Sequence, residues 1–163
     1  MSKATLEKKI CIEPKYLNDN LFENIKNILN EKYMDKCDQQ YGYIIKIYDS
    51  IQILDNIIST TSSGVYFYIK FTVKYVKPEL NTEAEGKVCI IFSSGVFVEF
   101  NNKIKVLIPK DKMGKYVYDK NKNCFKYGNN TISVGDSVGF IIDMIKYEKH
   151  NFNCIGSLKN WHM

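Results

Sequence analysis

The chain has no arginine: all 23 of its basic residues are lysines. Together with an enrichment in Lys, Asn, Ile and Tyr, this marks biased coding, so part of the basic charge is a habit of the genome. Histidine is scarce. His150 sits in a lysine-rich loop and His162 at the extreme C-terminus, neither with a nucleophile or a ligand spacing around it, so both read as exposed and inert. The five cysteines, Cys11, Cys37, Cys89, Cys124 and Cys154, are odd in number and widely spread, without a CxxC pair. They read as reduced interior residues rather than as a disulfide or zinc framework. Long apolar runs are missing as well. Lysine or asparagine breaks each one short of a bilayer span, and the charged N-terminus has no apolar stretch behind it to make a secretory signal. These absences describe a soluble intracellular chain with no catalytic group, metal or cofactor.

What is present starts with one stretch, residues 65–78, whose pattern is unbroken. Val65, Phe67, Ile69, Phe71, Val73 and Tyr75 are apolar, while Tyr66, Tyr68, Lys70, Thr72 and Lys74 between them are aromatic, basic or hydroxylated. That period of two is the mark of a half-buried strand. At roughly 3.3 Å per residue it spans ~40 Å, about twice the usual length, enough to serve two domains. Pro78 ends it by removing a ladder donor, and the polar stretch after it reads as a connector. Glu79, Glu83 and Glu85 cluster there, as a solvated hinge rather than an acid-base pair. The expected division is a domain at 1–78 and another at 79–163.

In the first domain, residues 5–12 alternate as a first strand stopped by Pro14. A helix comes next at 20–33, with Leu21, Phe22, Ile25, Ile28 and Leu29 on one core-facing stripe and Asn20 with Glu23 approximating a capping box. Residues 42–54 are apolar and β-branched and predict one or two strands. Residues 55–64 form the connection into the long strand. That connection lacks the glycines and lysine of a phosphate-binding loop and reads as a hairpin tip, but Ile57 and Ile58 are apolar residues of the kind a docking loop carries.

From residue 85 onward the pattern is all-β. Five short strands are expected at 85–92, 95–100, 104–109, 137–147 and 152–158, with a lysine- and asparagine-rich excursion at 110–130 that has room for a hairpin of its own. Five strands in so short a span suit a small closed barrel, an OB-fold. Charge is unevenly placed along the chain: residues 1–84 carry 11 lysines against 11 acidic residues, whereas residues 85–163 carry 12 against 7. The whole excess of +5 therefore lies in the second half, which fits either a polyanion partner there or a solubilising lysine surface.

Several short motifs carry a resemblance. Gly86-x-Val88, Ser94-Gly95-Val96-Phe97-Val98, Leu107-Ile108-Pro109 with Met113, Gly135-Asp136-x-Val138 and Ile155-Gly156-Ser157-Leu158-Lys159 resemble the RNA-binding OB-fold repeated in ribosomal protein S-one. The rest of the chain narrows the likeness: a neutral strand-helix-sheet domain, Tyr41-Gly42-Tyr43 entering its sheet, and a long strand ending Val76-Lys77-Pro78. In that order these resemble the larger stalk subunit of multisubunit RNA polymerases, a family found in archaea and represented in eukaryotes by the seventh subunit of RNA polymerase II.

The resemblance implies an α+β N-terminal domain, strand-helix-antiparallel sheet, followed by an all-β OB barrel of the S-one type. It implies docking on the polymerase core subunits through a tip loop, here Ile57, Ile58, Ser59, Thr60 and Gly64, and pairing with a smaller helical stalk subunit. The barrel would meet nascent single-stranded RNA. Of the three stacking positions, which fall on Ser94, Phe97 and Pro109, only Phe97 keeps a ring. With stacking worth ~1–3 kcal/mol per base, that predicts a weak binder leaning on lysines. Lys105, which shares the strand parity of Pro109, and Lys159 after the last strand are the candidates. The reading is a non-catalytic polymerase subunit acting in transcription, with a free single-stranded RNA-binding factor as the alternative. The missing arginine, short chain and diverged barrel favour the version of a large DNA virus, placed in the virion and host cytoplasm. A cellular eukaryotic source would place it in the nucleus.

Overall fold

The computed structural model describes residues 2–58 and 64–159. They form two compact units, Met1–Lys77 and Pro78–Met163. In the first unit, β1 (Ser2–Ile12) is followed by a 3-10 turn at Pro14–Tyr16 and by α1 (Leu21–Tyr33). The strands β2 (Cys37–Asp38), β3 (Gly42–Ile47), β4 (Gln52–Ile58) and β5 (Val65–Val76) complete it. The long strand β5 is the centre of the sheet. Along one edge β1 pairs with its full length, from Ser2 opposite Tyr75 to Ile12 opposite Val65. Along the other edge lie two shorter strands, β4 from Lys70 to Val65 and β3 from Val76 to Val73. The unusual length of β5 is therefore spent inside this unit, on two partners sharing one edge, and not on two domains.

The alternation in β5 sorts its side chains cleanly. Phe67, Ile69, Phe71 and Val73 are buried, and they join Leu6 and Ile10 of β1 and Ile25 and Leu29 of α1 in one core. Burying each such side chain is worth ~1.5–3 kcal/mol, which holds a helix of only modest length against the sheet. The helix begins differently from its expected capping box. Asn20 makes no side-chain cap bond; instead the Asn18 carboxamide oxygen accepts from the Asn20 N–H at 2.9 Å and from the Asn24 amide at 3.1 Å. Phe22 shares the apolar stripe yet stands 60% exposed. At the entry to β3, Gly42 adopts φ +74°, a left-handed conformation that glycine takes without a Cβ penalty. The expected connection at 55–64 is shorter than its sequence pattern implies. Asp55, Asn56 and Ile57 continue β4, paired to Tyr68, Phe67 and Tyr66.

The second unit comprises β6 (Glu83–Phe92), β7 (Gly95–Phe100) and β8 (Ile104–Pro109), then a 3-10 turn at Lys110–Lys112. It continues with β9 (Val117–Asp119), β10 (Cys124–Tyr127), β11 (Asn130–Ile132), β12 (Ser137–Glu148) and β13 (Asn151–Leu158). A closed barrel runs β12-β13-β8-β7-β6 and back to β12. Every pair in it is antiparallel except β8 with β13. This is the five-stranded Greek-key closure of an OB-fold. The excursion between β8 and β12 holds more than a hairpin, a three-stranded sheet in the order β11-β10-β9.

Two devices let so small a sheet close. The first is a pair of β-bulges, at Cys89 in β6 and Asp143 in β12, where the register shifts by a residue and the strand bends. Asp143 is pinned there by the Lys112 ammonium at 3.0 Å and by the Ser157 hydroxyl. Partial burial pushes its carboxyl up, but those two bonds outweigh the burial and leave it below the usual range. The second device is close strand approach. A Cβ on Gly86 would lie 2.6 Å from the Glu99 carbonyl oxygen and 2.8 Å from Val98 Cγ1. Gly86→Ala is accordingly expected to cost about 1–3 kcal/mol, read as a lowered thermal midpoint of the purified chain. An unchanged midpoint would mean that the β6–β7 pair can spread without loss.

Candidate nucleic-acid interface

The barrel's outward side chains line up in rows because each strand pair has a defined register. Ile90 stands opposite Phe97, Phe97 opposite Leu107, Leu107 beside Ile155 and Ile155 opposite Met144. These five apolar side chains form a band around the outside of the barrel, with Ile90 49% and Met144 58% exposed. The next row reads Glu99, Lys105, Asn153 and Lys146. Between the two rows lies a groove of about 420 Å³, and Phe97, Lys105, Leu107, Met144 and Lys146 all line it. Beneath it Cys154 is buried, and that burial pushes its thiol up to about 11, so it is not a nucleophile at neutral pH.

The structure thus brings Phe97 and Lys105 into one groove. The Phe97 ring lies 5.7 Å, centroid to centroid, from Phe92, so one neighbour already leans on it. At the other stacking positions Ser94 is exposed and its carbonyl accepts from the Lys110 N–H at 2.8 Å, and Pro109 sits opposite Gly95. Lys159 lies elsewhere. Its backbone N–H bonds the Gly139 carbonyl and its ammonium rests on Glu83, beside a different hollow lined by Asn130, Ser137 and Gly139. The residues that sequence reasoning missed are Ile90, Leu107, Ile155 and Met144. Leu107 shares the parity of Lys105 and was within reach. Ile90 and Met144 come directly after bulges, which reset the alternation from which facing is read.

At the tip of the first unit, Ile57 is 46% exposed on β4. The backbone of Ile58 pairs with Val65, and Ser59 and Thr60 lie outside the described residues. Gly64 is buried at the end of β1, where an added Cβ would meet the Ile12 carbonyl at 3.2 Å. It shapes the base of the tip and offers no side chain to a partner. Elsewhere, His150 shares a 3.4 Å contact with the Tyr147 hydroxyl and stands edge-on to its ring, and His162 lies outside the described residues. None of the five cysteines forms a disulfide. Cys124 and Cys154 are buried, but Cys11 is exposed, contrary to its expected place in the interior. Among the described residues no group of three or more His, Cys, Asp or Glu is placed to hold a metal ion. No described helix is long and apolar enough to cross a membrane.

Residues 7–64 match the family model for the "SHS2 domain found in N terminus of Rpb7p/Rpc25p/MJ0397". The DNA-directed RNA polymerase II subunit rpb7 of Dictyostelium discoideum is 30% identical over 167 aligned positions, covering 95% of this chain and 92% of that protein. The chain belongs to the Rpb7 family. A viral relative, "Uncharacterized protein 250L" of Invertebrate iridescent virus 6, is 24% identical over 96% of this chain and 97% of its own length. Among solved structures, GSP13 from Bacillus subtilis is similar over 50% of this chain and 56% of its own, at 23% identity and TM-score 0.39. The apo form of Mycoplasma genitalium RNase R is similar over 47% of this chain and 13% of its own, at 18% identity and TM-score 0.39. Within the Rpb7 family, then, this chain pairs its SHS2-matching segment with an OB barrel whose outer band is aliphatic except for Phe97.

Proposed function

We propose that this Rpb7-family chain is the larger, non-catalytic stalk subunit of a DNA-directed RNA polymerase. Its first unit docks on the core subunits through the tip around Ile57, it pairs with a smaller helical subunit, and its barrel touches nascent single-stranded RNA. The observation that carries the reading is the relationship to an RNA polymerase II subunit along nearly the whole of both chains. The end-to-end viral relative supports a viral polymerase, acting in the virion and host cytoplasm, over a nuclear one. Size-exclusion of a native extract tests assembly: the protein is expected in the large polymerase fraction, and elution alone would return it to the free RNA-binding class.

RNA contact at the barrel is modest and salt-sensitive. One ring, partly covered by Phe92, supplies little stacking, so affinity comes from ammonium-phosphate contacts that release counterions. Filter binding of a single-stranded RNA across a salt series is expected to show a steep fall with little sequence preference. Lys105→Ala flattens that fall by about 0.7 in log-log slope, and Phe97→Ala leaves the slope unchanged. A tight, salt-insensitive complex would mean that the apolar band, not the lysines, holds the RNA.

A further inference from the structure

The groove on the barrel carries more apolar side chain than a weak, lysine-led RNA contact uses. Phe97, Leu107, Ile155 and Met144 stand on four neighbouring strands, β7, β8, β13 and β12, in one register row. Strands lie about 4.8 Å apart, so the row is roughly 14 Å long with one apolar side chain at each step. Three of the four are aliphatic and offer a base no ring to stack on, and the fourth already leans on Phe92. Met144 ends the row 58% exposed, and its unbranched thioether can reshape to fit whatever covers it. The two flanks of the row differ in charge. On one side Lys105 and Lys146 are exposed, with Asn153 between them. Glu99 stands opposite Lys105, and Glu148 reaches Lys146 at 3.5 Å in an exposed pair of the kind that is worth little. Both lysines line the groove, whereas neither glutamate does. On the other side, two residues along their strands, come Gly95, Pro109 and Ser157, small and uncharged; Asp143, bonded to Ser157, is also held by Lys112.

We propose that this groove docks an amphipathic helix of a partner protein, one whose apolar stripe is flanked by acidic residues. A helical turn advances 5.4 Å, close to the ~4.8 Å between strands. A helix laid across the strands therefore meets one side chain of the row per turn, and about twelve residues with anchors at i, i+4, i+7 and i+11 cover it. An extended segment fits less well, because the barrel is closed and leaves no free strand edge on this face for its backbone to pair with. Carboxylates along one flank of the helix meet Lys105 and Lys146, while the Gly95-Pro109-Ser157 side lets the helix backbone come close. The lysines fix which way round the helix lies, and the apolar row supplies most of the affinity. RNA draws on Lys105 as well, so helix and RNA compete for the groove. The site is built from the barrel alone and is present whether or not the chain joins a polymerase.

The test is fluorescence anisotropy of the full chain with two labelled, covalently stapled helical peptides of about 16 residues. Both carry leucine at i, i+4, i+7 and i+11; one has glutamate along a flank of that stripe and the other lysine. The glutamate peptide is expected to bind saturably and about tenfold more tightly than the lysine peptide, a comparison that needs no variant. Lys105→Glu/Lys146→Glu is expected to invert the preference. Met144→Gln is expected to weaken the glutamate peptide about tenfold, while single-stranded RNA binds as before. All three substituted side chains are exposed, so melting temperatures stay near that of the wild type. Equal affinity for the two peptides, a preference unmoved by the charge reversal, or wild-type affinity in Met144→Gln overturns the proposal. A groove reserved for RNA overturns it too, and shows as no saturation by either peptide with RNA affinity lost in Met144→Gln. Elution of the native protein apart from polymerase would sink the stalk reading and leave each of these outcomes as it stands.

Discussion

Ile57→Asp is expected to abolish retention of the subunit by tagged polymerase while scarcely moving its melting temperature. The side chain is 46% exposed, on the outward side of β4 opposite Tyr66, so a carboxylate there stays hydrated in the free protein and removes nothing from the core. Buried against a partner, the same carboxylate loses its water without gaining a counter-charge. That costs several kcal/mol, and at ~1.4 kcal/mol per decade the affinity falls by roughly a hundredfold or more. Recording the melt first and the pull-down second separates the two roles. A folded variant that co-purifies normally moves docking to another surface, and an unfolded one makes Ile57 part of the first unit's core.

The difference between what could be read from the sequence and what could not comes down to where alternation survives. In β5 no bulge interrupts the period of two, so facing and burial were both legible from Val65 to Tyr75. The barrel strands β7 and β8 are likewise unbroken, and their bounds and the shared face of Phe97 and Lys105 come from parity alone. Bulges at Ile45, Leu54, Cys89 and Asp143 defeat the same argument in β3, β4, β6 and β12. Each turns the remainder of its strand to the opposite face, which hid Met144 and Ile90 from the apolar band. The helix bounds were legible but the capping bond was not, because Asn18, not Asn20, supplies the carboxamide. Charge sums fall short for another reason: a net sum over residues 1–84 cannot register that cross-strand pairing sets Lys3 and Lys46 on either side of Lys74, since they are far apart in sequence and meet only through β5.

Phe71→Ala should unfold the first unit and leave the barrel standing. Phe71 is fully buried at the middle of β5, opposite Leu6 and with its ring 5.7 Å from that of Tyr33. Truncating a buried phenylalanine costs about 3–5 kcal/mol. A unit of this size has a total stability on the order of 4–12 kcal/mol, so much or all of it is consumed. The barrel draws on different side chains, with Phe140, Val98 and Ile108 fully buried among its own strands. Calorimetry of the variant is therefore expected to keep one transition near its wild-type temperature and to show the other sharply lowered or lost. Function should divide along the same line: polymerase retention disappears with the tip, and RNA binding at the Phe97-Lys105 groove of the barrel persists. A single transition that shifts as a whole would mean that the two cores fold as one cooperative body, and then no variant in β5 could separate docking from RNA contact.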